Sequence, residues 1–359
     1  MASITKRDNG KWRARYRDAA GKEHARHFER KVDGQRWLDQ VTASVVRGDY
    51  VDPKAGTVTL RAYATSWEAV QVSSDGTARI VDNALRLHVL PELGDYPIKA
   101  IRPTMVQALV KKLEDKELSP GTVRGIYHVV TQVFTAAVHD KVISSSPCQR
   151  ITLPKDNSGE VVPPNVEQVA AFRDAFDERW RALVVTLAGT GVRVGELLGL
   201  EVSDVDFLRR TVKVDRQRVQ TGQTAPLKSR RARRTIPVGQ VVIDTLAAHL
   251  AAYPSDGPLF VNEVGEPLLY RRWRTLAEAA ARKAKTPDLT AHSCRHFYAS
   301  VLIAGGASVK QVQERLGHAS PMITLETYAH LWPGEDDRTR DLMDVALSPL
   351  ADSPRTREA

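Results

Sequence analysis

The chain has 359 residues, enough for two or three domains, and its 42% hydrophobic content supplies a real core. Lys and Arg number 52 against 43 Asp and Glu, a net charge of +9 that points to a polyanionic partner. No apolar run is long enough to span a bilayer and no secretory signal is present, which predicts a cytoplasmic protein with no membrane partner. Cys148 and Cys294 match no disulfide, redox or metal-ligand spacing, so both are expected to be reduced and buried, with no metal site and no cofactor.

The chain opens with a strictly alternating run from Lys11 to Arg17. Trp12, Ala14 and Tyr16 fall on one face of a strand, and Lys11, Arg13, Arg15 and Arg17 on the other. Asn9-Gly10 and Ala20-Gly21 are turn signals on either side, so hairpins are expected. A helix from Lys31 to Arg47 then presents Trp37, Leu38, Val41 and Val45 to cover the sheet. Residues 1–56 hold thirteen Lys and Arg against eight Asp and Glu. A basic sheet of this kind can be a solvated surface, or it can lie in a DNA groove with its cations on phosphates and base edges.

Residues 57–154 read as all-helical, with segments near Leu60–Val72, Thr77–Val89 and Pro103–Glu117. The clearest helix opens at Ser119-Pro120, an N-cap followed by a first-turn proline, and repeats Val123, Ile126, Val130, Val133, Phe134 and Ala137 on one face. Residues 155–164, rich in Pro, Gly, Ser and charge, form a linker. Beyond it, Arg193 and Glu196 sit three apart in an apolar helical run, where a charge must be paired or face a ligand. A β-rich patch follows and carries five cations with no acid among them: Lys228, Arg230, Arg231, Arg233 and Arg234. Two more helical stretches, near Gln240–Ala252 and Tyr270–Lys285, lead to the segment around which the chain is organised.

That segment runs from Thr290 to Tyr328. Thr290 is a good N-cap for a helix that ends at Gly305-Gly306, and His292 and Arg295 share a face near its N-terminus, where backbone N–H groups favour an anion. A second helix opens with the capping box Ser308-x-x-Gln311 and stops at Gly317, directly before His318. Ser320-Pro321 starts a third helix, which carries Tyr328 near its end. Taken singly, each of these residues has an ordinary reading as a cap, a surface group or a packing side chain.

Their order is more specific. H-x-x-R-H, then L-G-H, then Tyr328 after S-P-x-x-T resembles the C-terminal signature of the tyrosine recombinase (phage integrase) family, and Thr190 to Leu197 matches its TGxRxxEL pattern. The resemblance covers nearly the whole chain. It implies a multidomain α+β protein: a three-stranded arm-type DNA-binding sheet with a helix (1–56), a helical core-binding bundle (57–154), a linker (155–164), a mainly α catalytic domain with a small β-sheet (165–335) and a C-terminal tail (336–359). It implies six catalytic residues, Arg193, Lys228, His292, Arg295, His318 and Tyr328, with Glu196 orienting Arg193 and with Arg230, Arg231, Arg233 and Arg234 on the DNA backbone. Cys294 stands where leucine is usual and Gly195 where a better helix former is expected, and His296 reads as structural.

Cleaving a phosphodiester without a metal needs another source of positive charge, which two guanidiniums and a histidine can supply. Tyr328 is then the nucleophile, with a phenol pKa near ~10 that calls for a base. His292 is the expected base and Lys228 the expected acid for the leaving 5′-oxygen. The resemblance further implies double-stranded attachment sites of core and arm types, a homotetramer working through a Holliday junction, a DNA-bending host factor and an excisionase, all in the nucleoid of a bacterial host. Two other readings are a type IB topoisomerase-like enzyme, which shares the chemistry without fixed sites, and a DNA-binding regulator without catalysis. The arm-like sheet weighs against the first and the full set of six residues against the second. The apolar positions of residues 336–347 predict a tail helix that docks on a neighbouring protomer or on its own chain.

Overall fold

The computed structural model describes residues 2–350 except 18–20, 48–49, 53, 156–158, 228–231 and 333–335. It divides into two compact units, residues 1–158 and 159–359, so the break falls inside the expected linker.

The first unit begins with an antiparallel sheet of β1 (Ser3–Lys6), β2 (Trp12–Arg17) and β3 (Glu23–Phe28). The alternation of β2 works as expected: Ala14 and Tyr16 are buried under α1 (Lys31–Arg47), where Leu38 completes a small core ringed by Ile4, Phe28, Trp37 and Val41. The opposite face is less purely basic than the sequence suggests. Lys11 lies 2.7 Å from Glu29, and Glu23 meets both Arg13 (3.3 Å) and Arg15 (3.6 Å). Glu23 pairs across the ladder with Arg17, so strand pairing brings this acid onto the cationic face.

The helical part of this unit holds α2 (Leu60–Ala69), α3 (Asp75–Ala84), α4 (Leu90–Leu93), α5 (Pro103–Asp115) and α6 (Pro120–His139). Ser119 caps α6 through its hydroxyl, and Val123, Ile126, Val130, Val133 and Phe134 build the core with Leu60, Leu85, Val106 and Leu113. The single helix expected over 77–89 is broken. A π-helical turn at Leu85–Val89 joins α3 to α4. Pro91 accounts for this, because it has no N–H to give the carbonyl of Leu87 and its ring crowds that carbonyl.

In the second unit, α7 (Val166–Ala175), α8 (Glu178–Thr190) and α9 (Val194–Leu198) precede two small sheets. One has the order β4 (Val205–Asp206), β5 (Thr211–Val214), β8 (Arg234–Pro237), and the other is the hairpin of β6 (Arg216–Arg218) and β7 (Thr224–Pro226). Then come α10 (Gln240–Ala252), α11 (Tyr270–Lys283), α12 (Ala291–Ala304), α13 (Val309–Leu316), α14 (Pro321–Tyr328) and α15 (Asp336–Leu347). Helix α12 packs along α8, and one continuous core takes in Phe172, Trp180, Leu187, Val212, Ile236, Leu246, Trp273, Cys294 and Leu316. Each such large side chain contributes about 1.5–3 kcal/mol by leaving water. The fold class is therefore as expected: mainly helical, with small antiparallel sheets and an N-terminal three-stranded one. Among the described residues, no helix is long and apolar enough to cross a membrane.

Candidate active site

Helix α8 ends at Gly191, whose φ of +63° is the left-handed value glycine adopts freely; a Cβ there would meet Tyr298 Cδ1 at 2.4 Å. The chain then turns so that Arg193 caps α9, and Glu196, three residues on, reaches back. Its carboxylate accepts from the Arg193 backbone N–H (2.9 Å) and from Arg193 Nη1 (3.0 Å). It also accepts from Nη2 of Arg234, on β8, at 2.8 Å. Burial alone would raise the Glu196 pKa, but the bond and charge of Arg234, followed by Arg193, hold it below the usual carboxylate value. Glu196 thus ties the start of β8 to the start of α9 and is bonded to Arg193, which it was expected to orient. Gly195 also has a physical reason, since a Cβ there would come within 3.2 Å of the Arg218 carbonyl oxygen.

Helix α12 is capped by Thr290, whose hydroxyl accepts from the N–H groups of His292 and Ser293. It places His292, Arg295 and His296 on one side. Arg295 is 1% exposed. Its Nη1 donates to the Gly191 carbonyl (2.6 Å) and its Nη2 to the Leu316 carbonyl (2.7 Å), so one guanidinium joins the ends of α8 and α13. Burial, then the charge of Arg193, lowers its pKa to about 9, which leaves it charged at neutral pH.

Gly317, left-handed at φ +67°, ends α13 and delivers His318. The His318 ring is buried, with Nδ1 2.8 Å from Thr324 Oγ1, and Gln313 Nε2 donates to its carbonyl at 2.9 Å. Burial first, and then Arg295 and Arg193, brings its pKa down to about 3, so the ring is neutral and its Nε2 can donate to an anion. Tyr328, at the end of α14, is 1% exposed. Burial raises its pKa while Arg295 pulls the other way.

Five of the six expected catalytic residues therefore meet in one place. Arg193 and Arg295 both act on His292 and His318, and Arg295 acts on Tyr328. A cleft of about 510 Å³ opens beside Arg193, His292 and Arg295. Lys228, Arg230 and Arg231 lie outside the described residues. Arg233 is exposed. Arg234, expected on the DNA backbone, instead has a side chain only 6% exposed and commits its nitrogens to Glu196 and to the carbonyls of Arg315 and Ala232. Lys11, Arg13, Arg15 and Arg17 belong to the first unit. Among the described residues, no group of His, Cys, Asp or Glu is placed to hold a metal ion. Both thiols are pushed up by burial, that of Cys294 to about 12, which makes them poor nucleophiles.

One residue carries more than its sequence reading. His296, expected to be structural, has its Nδ1 2.8 Å from the Tyr328 hydroxyl, with the rings edge to face. His292, the expected base, instead packs its ring against His296 at 4.5 Å. The signal was present in the sequence, since His296 is four residues from His292 and adjacent to Arg295, and so on the same helix side.

The helical scaffold that holds this cluster resembles those of solved DNA integrases. The structure aligns with a Tn1549 transposon integrase solved with transposon right end DNA, at a TM-score of 0.70, 22% identity and coverage of 80% of this chain and 99% of that one. A lambda integrase tetramer bound to a Holliday junction aligns at a TM-score of 0.60 and 19% identity, covering 89% and 96%. Residues 163–334 match the phage integrase family and residues 59–153 the phage integrase central domain. The chain belongs to the phage integrase family and is a tyrosine-type site-specific DNA recombinase. Relatives over nearly the full length include the integrase of Mycobacterium phage FRAT1, 26% identical over 333 residues (88% of this chain, 99% of that protein). Another is a putative prophage phiRv2 integrase of Mycobacterium tuberculosis, 26% identical over 371 residues (96% and 94%).

Proposed function

We propose that this recombinase is a temperate-phage-type integrase in which Tyr328 attacks a DNA phosphate, forms a 3′-phosphotyrosyl bond and exchanges strands through a Holliday junction. Arg193, Arg295, His292 and His318 hold the phosphate and stabilise the charge that builds on it, and Lys228 protonates the leaving 5′-oxygen. Glu196 positions Arg193 through its backbone N–H and Nη1, and Arg234 in turn holds Glu196. Residues 1–56 bind arm-type sites, 57–154 clasp the core site opposite the catalytic domain of 165–335, and the 155–164 linker lets them close. Four copies act on two duplexes, an assembly supported by the lambda integrase tetramer bound to a Holliday junction, with a DNA-bending host factor and an excisionase setting direction. The tail from 336 to 359 joins neighbouring copies: α15 exposes Leu342, Met343, Val345 and Leu347, apolar side chains that a second copy can cover.

The observation that supports this reading is the meeting of two arginines, two histidines and a buried phenol from four separate segments in one place. Tyr328→Phe tests it. The ring still packs in the core while the attacking oxygen is gone. The variant is expected to keep specific binding to a nicked core-site duplex and to form no covalent adduct on a denaturing gel. A DNA-linked band surviving in Tyr328→Phe moves the nucleophile elsewhere.

A further inference from the structure

The phenol that attacks must lose a proton as its oxygen bonds to phosphorus. We propose that His296, not His292, accepts that proton: Nδ1 takes a hydrogen bond from the Tyr328 hydroxyl and then its proton during attack. This rests on the reading of Tyr328 as nucleophile.

Geometry carries the inference. His296 Nδ1 is 2.8 Å from the hydroxyl oxygen, within the range a general base requires. His296 also follows Arg295 directly on α12. If Arg295 grips the phosphate, the base moves with that ligand as one rigid helix, and the two remain in register when DNA entry uncovers Tyr328. The groups acting on His296 are His292 and Arg295 of its own helix and Tyr328 of α14. His330, in the turn after Tyr328, is bonded instead to the Val161 carbonyl.

Burial, then His292 and Arg295, lowers the His296 pKa to about 4, so the ring is neutral and free to accept before DNA arrives. A bound phosphodiester brings a negative charge beside Arg295, which offsets part of that cationic influence and strengthens the base at the moment of attack. The step balances. The Tyr328 O–H bond breaks, and its proton goes to His296 Nδ1. The O–P bond forms, and the P–O5′ bond breaks with Lys228 protonating the leaving oxygen. In rejoining, the His296 imidazolium returns its proton to the departing phenolate.

His296→Asn is the informative variant, because an asparagine oxygen can hold the hydroxyl much as Nδ1 does but cannot take a proton. The full chain is mixed with a nicked duplex carrying the core site read from DNA flanking the integrated gene, and adduct formation is followed from pH 6 to 9. The expected result is roughly a hundred- to ten-thousand-fold slower rate with DNA binding retained, the range for loss of a general base. The remaining rate should climb about tenfold per pH unit as hydroxide replaces the base, whereas His292→Ala is expected to be slow without that slope. His296→Asn acting at or above the wild-type rate overturns the proposal, as does the slope appearing in His292→Ala alone. Should His296→Asn fail to bind DNA, His296→Gln is assayed for the same slope, and a flat profile there also overturns it. Tyr328→Phe runs alongside: an adduct from it would sink the nucleophile assignment, whereas an active His296→Asn beside an inactive Tyr328→Phe sinks only the base.

Discussion

Arginine is used in opposite ways in the two units. On the N-terminal sheet, the Arg13 and Arg15 side chains are 30% and 47% exposed and share the exposed carboxylate of Glu23. In the second unit, Arg234 is 6% exposed and Arg295 1%, and each is held by carbonyl oxygens or by Glu196. An exposed pair contributes about 0–1 kcal/mol and exchanges its partner readily, so the sheet can give its cations to a polyanion at little cost. A buried guanidinium has no such freedom, and its position is set by the fold. Arg193 combines both, with its side chain 46% exposed and one nitrogen held by Glu196. It is oriented like a core residue yet open toward a ligand.

Glu196 is where buried and exposed cations should differ most. Glu196→Gln keeps the size of the side chain but removes the charge facing Arg234 and Arg193. Losing one member of a buried pair typically costs about 3–5 kcal/mol, and that destabilisation should appear in urea titrations. Glu23→Gln on the sheet should change the same midpoint by less than about 1 kcal/mol. Equal effects at the two sites would erase the distinction drawn between buried and exposed cations.

Acid tests the buried side of this difference through the histidines. The folded pKa values of His318 and His296, about 3 and about 4, lie below the ordinary 6.5, so protons bind the unfolded chain preferentially. Above pH 6.5 both rings are neutral in either state and contribute nothing to pH dependence. As pH falls from 6.5 towards 3, the unfolded state gains protons that the folded state refuses, and stability falls steadily. Glu196, lowered instead, adds stability at neutral pH that is lost as pH drops through its folded value. Urea midpoints between pH 7 and 4 check this, and His318→Gln should flatten the upper part of the curve. A midpoint steady down to pH 4.5 would contradict the burial-driven shifts.

What was legible in the sequence was local. Thr290, the Ser308–Gln311 box, Gly317 and Ser119-Pro120 mark helix ends through neighbours a few residues away, and the structure places those ends as expected. Ser320 sits at the expected N-cap but makes no side-chain capping bond. The convergence of Arg193, His292, Arg295, His318 and Tyr328 was legible only through their order, because no local rule links residues so far apart. The missed features depend on tertiary pairing. Glu196 meets Arg234 across 38 positions, Tyr328 meets His296 across 32, and Glu23 reaches the basic face only once β3 pairs with β2. The π-helical turn before Pro91 was locally readable, but the apolar periodicity of 77–89 concealed it.

The smallest effects belong to the sheet, and they test whether its cations serve DNA. If Arg13, Arg15 and Arg17 contact phosphates, each contact releases about one counterion, and replacing one by alanine should lower the salt slope of arm-site binding by about 1. Core-site binding should keep its slope if, as proposed, residues 1–56 bind only arm sites. Glu23 gives a second handle, since it holds Arg13 at 3.3 Å and Arg15 at 3.6 Å in the free chain. DNA must displace this carboxylate, so Glu23→Gln should tighten arm-site binding about two- to fivefold, the equivalent of roughly 0.4–1 kcal/mol and within the range of an exposed pair. Fluorescence anisotropy on arm-site DNA at several salt concentrations measures both quantities. If Arg15→Ala leaves the slope unchanged and Glu23→Gln leaves the affinity unchanged, the basic face is a solvated surface, and arm recognition must be sought on another part of residues 1–56.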